Sequence, residues 1–291
     1  MALLLSVLAT VATGCSERPD GDAGNDAEGG GDRVSIPVRV EDDAGRVSSF
    51  ADSPGRIVSL VPSATGVLLA LGQMERIVGR TDFDRAPELQ DLPSVGGGLN
   101  PSIEQLVSLE PDLVVRFRAE SDPDTPRQLD AAGISHVAIR PDRIADIHRI
   151  IGMLGTIVGQ PERADSIRQS IDRGLREVSE AVAGAPRPSV VFLGGNPPSV
   201  AGAGTFLHEL IGIAGGENAF ADGENLYALV SLEEILDRDV EFILTTEPVG
   251  LPEALEGIPT ARVPLEMLNP GLEVVESART LAEIFHPDRF P

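Results

Sequence analysis

The sequence predicts an α/β chain folded as two similar lobes joined by a single long helix. Three observations predict it. SIEQLVSLEPDLVV, residues 102–115, lines up without a gap against SLEEILDRDVEFIL, residues 231–244, in the other half of the chain. Strand-like apolar runs alternate with helical patterns through both halves, the order of a mainly parallel sheet. Between the halves lies one amphipathic stretch, Pro161 to Ala183, with apolar residues near Ala164, Ile167, Ile171, Leu175 and Val178. At 1.5 Å per residue it runs roughly 33 Å, enough to span one lobe and reach the next.

Taken in order, residues Arg33 to Phe50 alternate apolar and polar around Asp43-Ala44-Gly45 and read as a β-hairpin. Strand RIVSLV, a loop at Pro62-Ser63-Ala64, helix TGVLLALGQ and strand RIVGR follow. A long loop leads to the first Ser-x-x-Gln motif, where Ser102 and Gln105 predict a capping box, then strand DLVVRF, helix PRQLDAAG and strand HVAIR. Helices are expected over about 143–158 and 161–183. The second lobe repeats the scheme: strand SVVFLGG, loop NPPSVAGAG, helix TFLHELIGIAGG, the second capped helix at Ser231 and Glu234 with its strand, and a last helix from about Leu272 to Phe285. With Gln105 and Glu234 engaged in the caps, Glu104 and Glu233 are left facing outward, one per lobe. An acidic residue there also complements the helix dipole, so this position alone does not decide between a structural role and a contact.

Length and composition fit two cores: 291 residues, 42% hydrophobic. The net charge of -23 argues against a nucleic-acid partner, and all 23 basic residues are arginine. The absence of lysine removes phosphate-loop, Schiff-base and kinase chemistry. His136, His148, His208 and His286 are scattered with no ligand spacing, so no metal site and no cofactor are expected. No nucleophile elbow or dinucleotide fingerprint is present, and Val95-Gly96-Gly97-Gly98 reads as a loop whose backbone comes close to something. An enzyme is not expected.

The N-terminus is a separate case. MALLLSVLATVATG is too short for a membrane span and suits a signal-peptide core, and Ala12-Thr13-Gly14-Cys15 resembles the bacterial lipoprotein signal, in which the cysteine is lipidated. Two departures are the alanine three positions before Cys15 and the lack of a basic residue before the apolar run. Residues 16–32 are rich in Gly, Asp and Glu and read as a disordered acidic linker. The expected division is a lipoprotein signal with its lipobox over 1–15, the linker over 16–32, an N-terminal lobe over 33–160, the connecting helix over 161–185 and a C-terminal lobe over 186–291.

Four segments, RIVSLVPSATGVLLALG, PSVGGGLNPSIEQLVSLEPDLVV, GGNPPSVAG followed by IAGGENAFAD, and VSLEEIL, resemble in order and spacing the substrate-binding proteins of cobalamin and iron-siderophore importers, closest to the cobalamin branch. The resemblance covers about residues 54–290. It implies two Rossmann-like α/β lobes on a helical backbone, the helical-backbone periplasmic binding protein architecture. It also implies a lipid-anchored monomer that holds a corrinoid in the cleft between lobes and delivers it to a permease with ATPase subunits. By the same resemblance Glu104 and Glu233 dock on the permease. Pro62, Ser63, Ala64, Phe83, Gly97, Gly98, Phe117, Asn196, Pro197, Pro198 and Tyr227 line the cleft. Core packing is the competing role for Phe117 and Tyr227. The family's acid and arginine pair is not reproduced in VPLEMLNPGLE. A ferric-siderophore or haem ligand is the alternative, kept open by Arg116 and Arg118; strand alternation sets Phe117 opposite both while the strand lasts. A corrinoid-processing enzyme on two α/β lobes is the alternative of another class.

Overall fold

Ser59 ends the first buried strand of the lobe and holds the turn that follows it, its hydroxyl donating to the Val61 carbonyl at 2.9 Å. A computed structural model describes residues 37–194, 198–223, 225–246, 252–264, 267 and 269–290. The predicted signal, linker and Cys15 lie outside the described residues. A hairpin, β1 (Val38–Glu41) and β2 (Val47–Phe50), comes first. Next are β3 (Ile57–Ser59), α1 (Pro62–Ala70), β4 (Ile77–Gly79), the small hairpin β5 (Gly96–Gly97) and β6 (Asn100–Pro101), and α2 (Ile103–Ser108). Then come β7 (Leu113–Phe117), α3 (Asp124–Ala131) and β8 (His136–Ile139). These build a sheet of order β4-β3-β7-β8, all parallel. After α4 (Ile144–Ile157) and α5 (Pro161–Ala181) the second lobe contains β9 (Ser189–Gly194), β10 (Ser199–Ala201), α6 (Phe206–Ile213), β11 (Glu217–Asn218), β12 (Tyr227–Leu229), α7 (Leu232–Leu236), β13 (Phe242–Thr245), β14 (Thr260–Arg262) and α8 (Val274–Phe285). Its sheet runs β12-β10-β9-β13-β14, with β11 paired to β9.

Three expectations need correction. Pro62-Ser63-Ala64 is the first turn of α1 and not a loop, because a proline at the first helical position has the right φ and gives up an N–H that would be unpaired there. The segment NPPSVAGAG contains β10, which pairs antiparallel with β9 and β12, so the second sheet is mixed. Only the second capping box closes. Ser231 and Glu234 exchange both bonds, at 2.9 and 3.2 Å, whereas in α2 the Ser102 hydroxyl accepts from the Gln105 N–H at 3.3 Å without a returned bond. A charged carboxylate is the stronger acceptor beside the positive end of a helix than a neutral amide.

The 129-residue offset between the two motifs extends well beyond sequence. It relates the starts of α2 and α7, the starts of β7 and β13, and the fully buried anchors Leu106 and Ile235. Among the described residues only two other than glycine have positive φ, Glu110 at 45° and Asp239 at 47°, and they too are equivalent. Both end the capped helix in the left-handed conformation that turns the chain back into the sheet. Asp112 accepts from the N–H groups of Gly55 and Arg56, each at 2.9 Å. Its counterpart Glu241 accepts from Ser189 N–H at 2.8 Å. Each carboxylate thus ties the start of the neighbouring strand.

Both sheets are buried on both faces, which accounts for their unbroken apolar runs. Val58 and Val114 face a small core with Leu106 and Leu129, and Val191 and Ile243 face another with Phe220 and Ile235. The opposite faces, carrying Ile57, Val115, Val190, Phe192 and Leu244, join a single apolar layer that also takes in Ile151 and Leu154 of α4, Ile171 and Val178 of α5, Phe206 of α6 and Leu281 of α8. That layer runs through both lobes. Helix α5 fits between its neighbours by close approach: a Cβ on Gly155 of α4 would overlap Ala164, and one on Gly174 would come within 2.5 Å of Val275 of α8.

The first hairpin covers the free edge of β8. Asp43 N–H donates to the Ala138 carbonyl at 3.0 Å, Ala138 N–H to Asp42 at 2.7 Å, and Arg140 N–H to Asp43 at 2.6 Å. Arg46 bonds Asp130 at 2.7 Å, next to the buried His136, whose Nδ1 accepts from Arg116 Nε at 3.1 Å. Burial, followed by the charges of Arg116 and Arg46, pushes the His136 imidazole below its ordinary range, with Asp130 opposing.

Two predictions follow from this packing. Gly155→Ala gains up to about 1 kcal/mol of helix propensity but overpacks the α4–α5 contact by about 1–3 kcal/mol, so thermal unfolding should shift to lower temperature. For His136, the unfolded chain takes up a proton near pH ~6.5 and the folded chain only at lower pH, so its contribution is complete above about 6.5 and is lost as pH falls. Urea midpoints measured at about pH 7.5 and 5.5 should therefore drop toward acid, and His136→Gln should flatten that difference.

Candidate functional site

Parallel strands bring the loops that follow them to one edge of each sheet, where open α/β folds carry their ligand sites. In the first lobe this edge holds Pro62 and Ser63 at the start of α1, Phe117 at the end of β7, and Phe83 and Asp142 on loops. In the second it holds Pro198, with Tyr227 on the adjoining β12. Asn196 and Pro197 lie outside the described residues.

Phe83 is 60% exposed, on a loop that is rigidly built beneath it. The buried Asp84 carboxylate accepts from both the N–H and the hydroxyl of buried Thr81, each at 2.7 Å, and Gln90 donates to the Asp84 carbonyl at 2.9 Å. The Phe83 ring lies 3.8 Å from where a Cβ on Gly97 would stand. Gly98, at the turn between β5 and β6, packs its Cα against the Leu60 carbonyl so closely that no side chain fits. The structure therefore sets Phe83 beside Gly97, and Gly98 on Leu60, two residues before Pro62. Ala64 is 1% exposed and its methyl belongs to the core.

Phe117 is half-buried at the end of β7 and packs on the central apolar layer. Arg116 points to the other face, 7% exposed against His136, and burial lowers its pKa despite the charges of Asp42 and Asp122. Arg118, past the strand end, is exposed. The two arginines flanking Phe117 thus face different surroundings.

Tyr227 is 59% exposed, yet its phenol is pushed above the ordinary range, first by desolvation and then by the charge of Asp142. The phenol stays neutral and able to donate. Two contacts span the lobes. Glu209 of α6 accepts from the Ile144 N–H at 2.7 Å and from Arg143 Nε at 3.1 Å, capping α4 from the opposite lobe, and a Cβ on Gly271 would meet Ser63 at 3.2 Å. Sequence reasoning missed Asp142, Arg143 and Glu209, since an acidic residue in the first turn of a helix reads as a complement to the helix dipole and gives no local sign that its partner is 65 positions away.

Concavities of about 390–500 Å³ also occur along α4, α5 and α6, lined by residues such as Arg149, Met153 and Arg168 or Arg143, His208 and Glu209, and not by the predicted cleft residues. Among the described residues no group of three or more His, Cys, Asp or Glu is arranged to hold a metal.

Glu104 and Glu233 are both exposed, at the second position of α2 and α7. Ser102 N–H bonds the Val95 carbonyl, and Val95 N–H bonds that of Arg80, just beyond β4. Val230 N–H bonds the Pro198 carbonyl, just beyond β9. Each capped helix therefore begins at the edge of its sheet where the strands end, with its glutamate in the first turn.

A sequence-family model described as "periplasmic binding protein" matches residues 57–285. The chain belongs to the periplasmic binding protein family. It is similar to the uncharacterised ABC transporter substrate-binding lipoprotein YvrC of Bacillus subtilis, 27% identical over 99% of this chain and 96% of that protein. A vitamin B12-binding protein of Salmonella typhimurium is 29% identical over 67% of this chain and 73% of its own length. Among solved structures, the periplasmic heme-binding protein RhuT from Roseiflexus superposes with a TM-score of 0.70 at 24% identity, covering 82% of this chain and 99% of that one. The vitamin B12-binding protein BtuF of Vibrio cholerae gives 0.69 at 21%, with the same coverage. Both periplasmic binding proteins share the two-lobed fold described above.

Gly98→Ala should dislodge the β5–β6 turn from Leu60. The expected outcome is a folded protein with changed amide signals or faster hydrogen exchange confined to residues near 81–84 and 96–101, read by exchange mass spectrometry.

Proposed function

We propose that this periplasmic binding protein is the substrate-binding component of an ATP-driven importer, that it takes a corrinoid such as cobalamin between its lobes, and that it passes the ligand to a permease docked on Glu104 and Glu233. The observation that carries the ligand class is the exposure of two aromatic side chains, Phe83 and Tyr227, one in each lobe, which this reading sets on the walls of the cleft. Flat macrocycles are held by such walls with few polar contacts. The vitamin B12-binding relatives and the likeness of YvrC support the importer role. The reading makes the protein a carrier and not a catalyst.

Export and anchoring through a lipidated Cys15 belong to the same proposal, supported by the lipoprotein name of YvrC. Among the described residues no helix is long and apolar enough to cross a membrane. Lobes over residues 33–160 and 186–291 with a connecting helix over 161–185 remain the proposed division, and the ligand contacts proposed are Pro62, Ser63, Phe83, Gly97, Gly98, Phe117, Pro198 and Tyr227.

Haem is the second reading, favoured by the heme-binding structural neighbours. The siderophore reading has less support, because Arg116 is occupied with His136. Calorimetric titration of the full chain with cyanocobalamin, cobinamide, haemin and a ferric siderophore separates these. One-to-one saturable binding of the corrinoids is expected, weakened up to about tenfold by Tyr227→Ala. A haem-only response would replace the ligand, and no binding to any of the four would overturn the proposal.

A further inference from the structure

The two capped helices share more than their glutamates. Val107 of α2 and Leu236 of α7 occupy equivalent positions, three residues after Glu104 and Glu233, and are 45% and 46% exposed. Residues three apart on a helix stand on one face. The other exposed residues around them are polar in both copies, Gln105 and Ser108 in one, Glu234 and Asp237 in the other. A single exposed aliphatic side chain needs no explanation. Here the aliphatic character recurs in both lobes while the identity differs, next to a carboxylate that pairs with no cation among the described residues.

We infer that each lobe presents a two-part contact, a free carboxylate beside an exposed aliphatic side chain, and that the matched pair seats on a membrane permease whose two halves each offer a cation next to an apolar hollow. The inference rests on the importer reading and deepens it. Charge complementarity fixes the sign of the partner's site, since the ridge is acidic and the chain carries a net charge of -23. The duplication fixes its symmetry, because two like ridges on the cleft edges call for two like receptors. The division of labour follows from physical chemistry. Exposed ion pairs orient and speed the encounter but add little affinity, whereas an aliphatic group removed from water contributes whatever the ionic strength. Docking built on glutamate alone would fade in salt; docking built on both parts persists.

The test uses the full chain in its native host, with a photoreactive benzoylphenylalanine at the exposed Ser108 or Asp237, and compares adducts to integral membrane proteins in three backgrounds. In the unaltered background both positions should yield an adduct with the same permease. In Val107→Ser/Leu236→Ser the yield should fall at least about fivefold while the melting temperature stays unchanged, since both residues are exposed. In Glu104→Ala/Glu233→Ala it should fall as well. An undiminished adduct in the serine background, with loss in the alanine background, overturns the aliphatic contact and leaves the docking reading standing. Absence of a permease adduct from both positions, or a yield that neither pair of substitutions lowers, overturns both.

Discussion

The molecule depends on how closely α5 approaches the helices on either side of it. Gly155 lets Ala164 settle against α4, and Gly174 admits Val275 of α8, so one helix is pressed into both lobes along its length. The apolar layer that results includes Ile151, Ile171, Phe206 and Leu281 without a break. Were either glycine replaced by a larger residue, the helices would have to move apart and the shared layer would pack less closely. The cleft is then a matter of rigid construction: loops of two sheets face each other because their sheets rest on the same helices. Glu209 reinforces this by capping α4 across the lobes. On the proposed function, such a floor favours a largely formed site over a wide hinge motion.

The site itself is made from the same economy of backbone contacts. Thr81 and Asp84 are buried so that Phe83 is not, and Gly98 lies on Leu60 so that the turn above it stays low. Tyr227 stands exposed on β12, a strand held antiparallel at the margin of its sheet. Apolar surfaces exposed on rigid supports bind without much loss of side-chain freedom, which is where preorganised clefts gain their affinity.

Much of this was legible in the chain. The repeated Ser-x-x-Gln and Ser-x-x-Glu motifs located two helices and the strands after them, because a serine cap and a buried apolar run are local signals. Helix α5 announced itself through Pro161 and the spacing of Ile171, Leu175 and Val178. What stayed hidden was non-local. The pairing of β10 with β12 joins short segments with no alternation to read, and Glu209 caps a helix 65 positions away. Gln105 has the right place for a capping box but an uncharged acceptor, and the bond does not form. Strand alternation separated Phe117 from Arg116 correctly, yet only burial among Asp42, Arg46 and His136 reveals that this arginine is part of the lobe's framework.

Among the described residues the ion pairs are made by arginine or histidine, as in Arg46 with Asp130, Arg143 with Glu209 and Arg238 with Asp222. A guanidinium does not give up its proton in any ordinary solvent, so none of the arginine bridges has an alkaline limit. Between about pH 8 and 11 the only side chains of the sequence that change charge are one thiol and one phenol, and that phenol, Tyr227, is displaced upward. Alkali leaves the framework of charges intact, and the fold's electrostatic weakness is confined to acid.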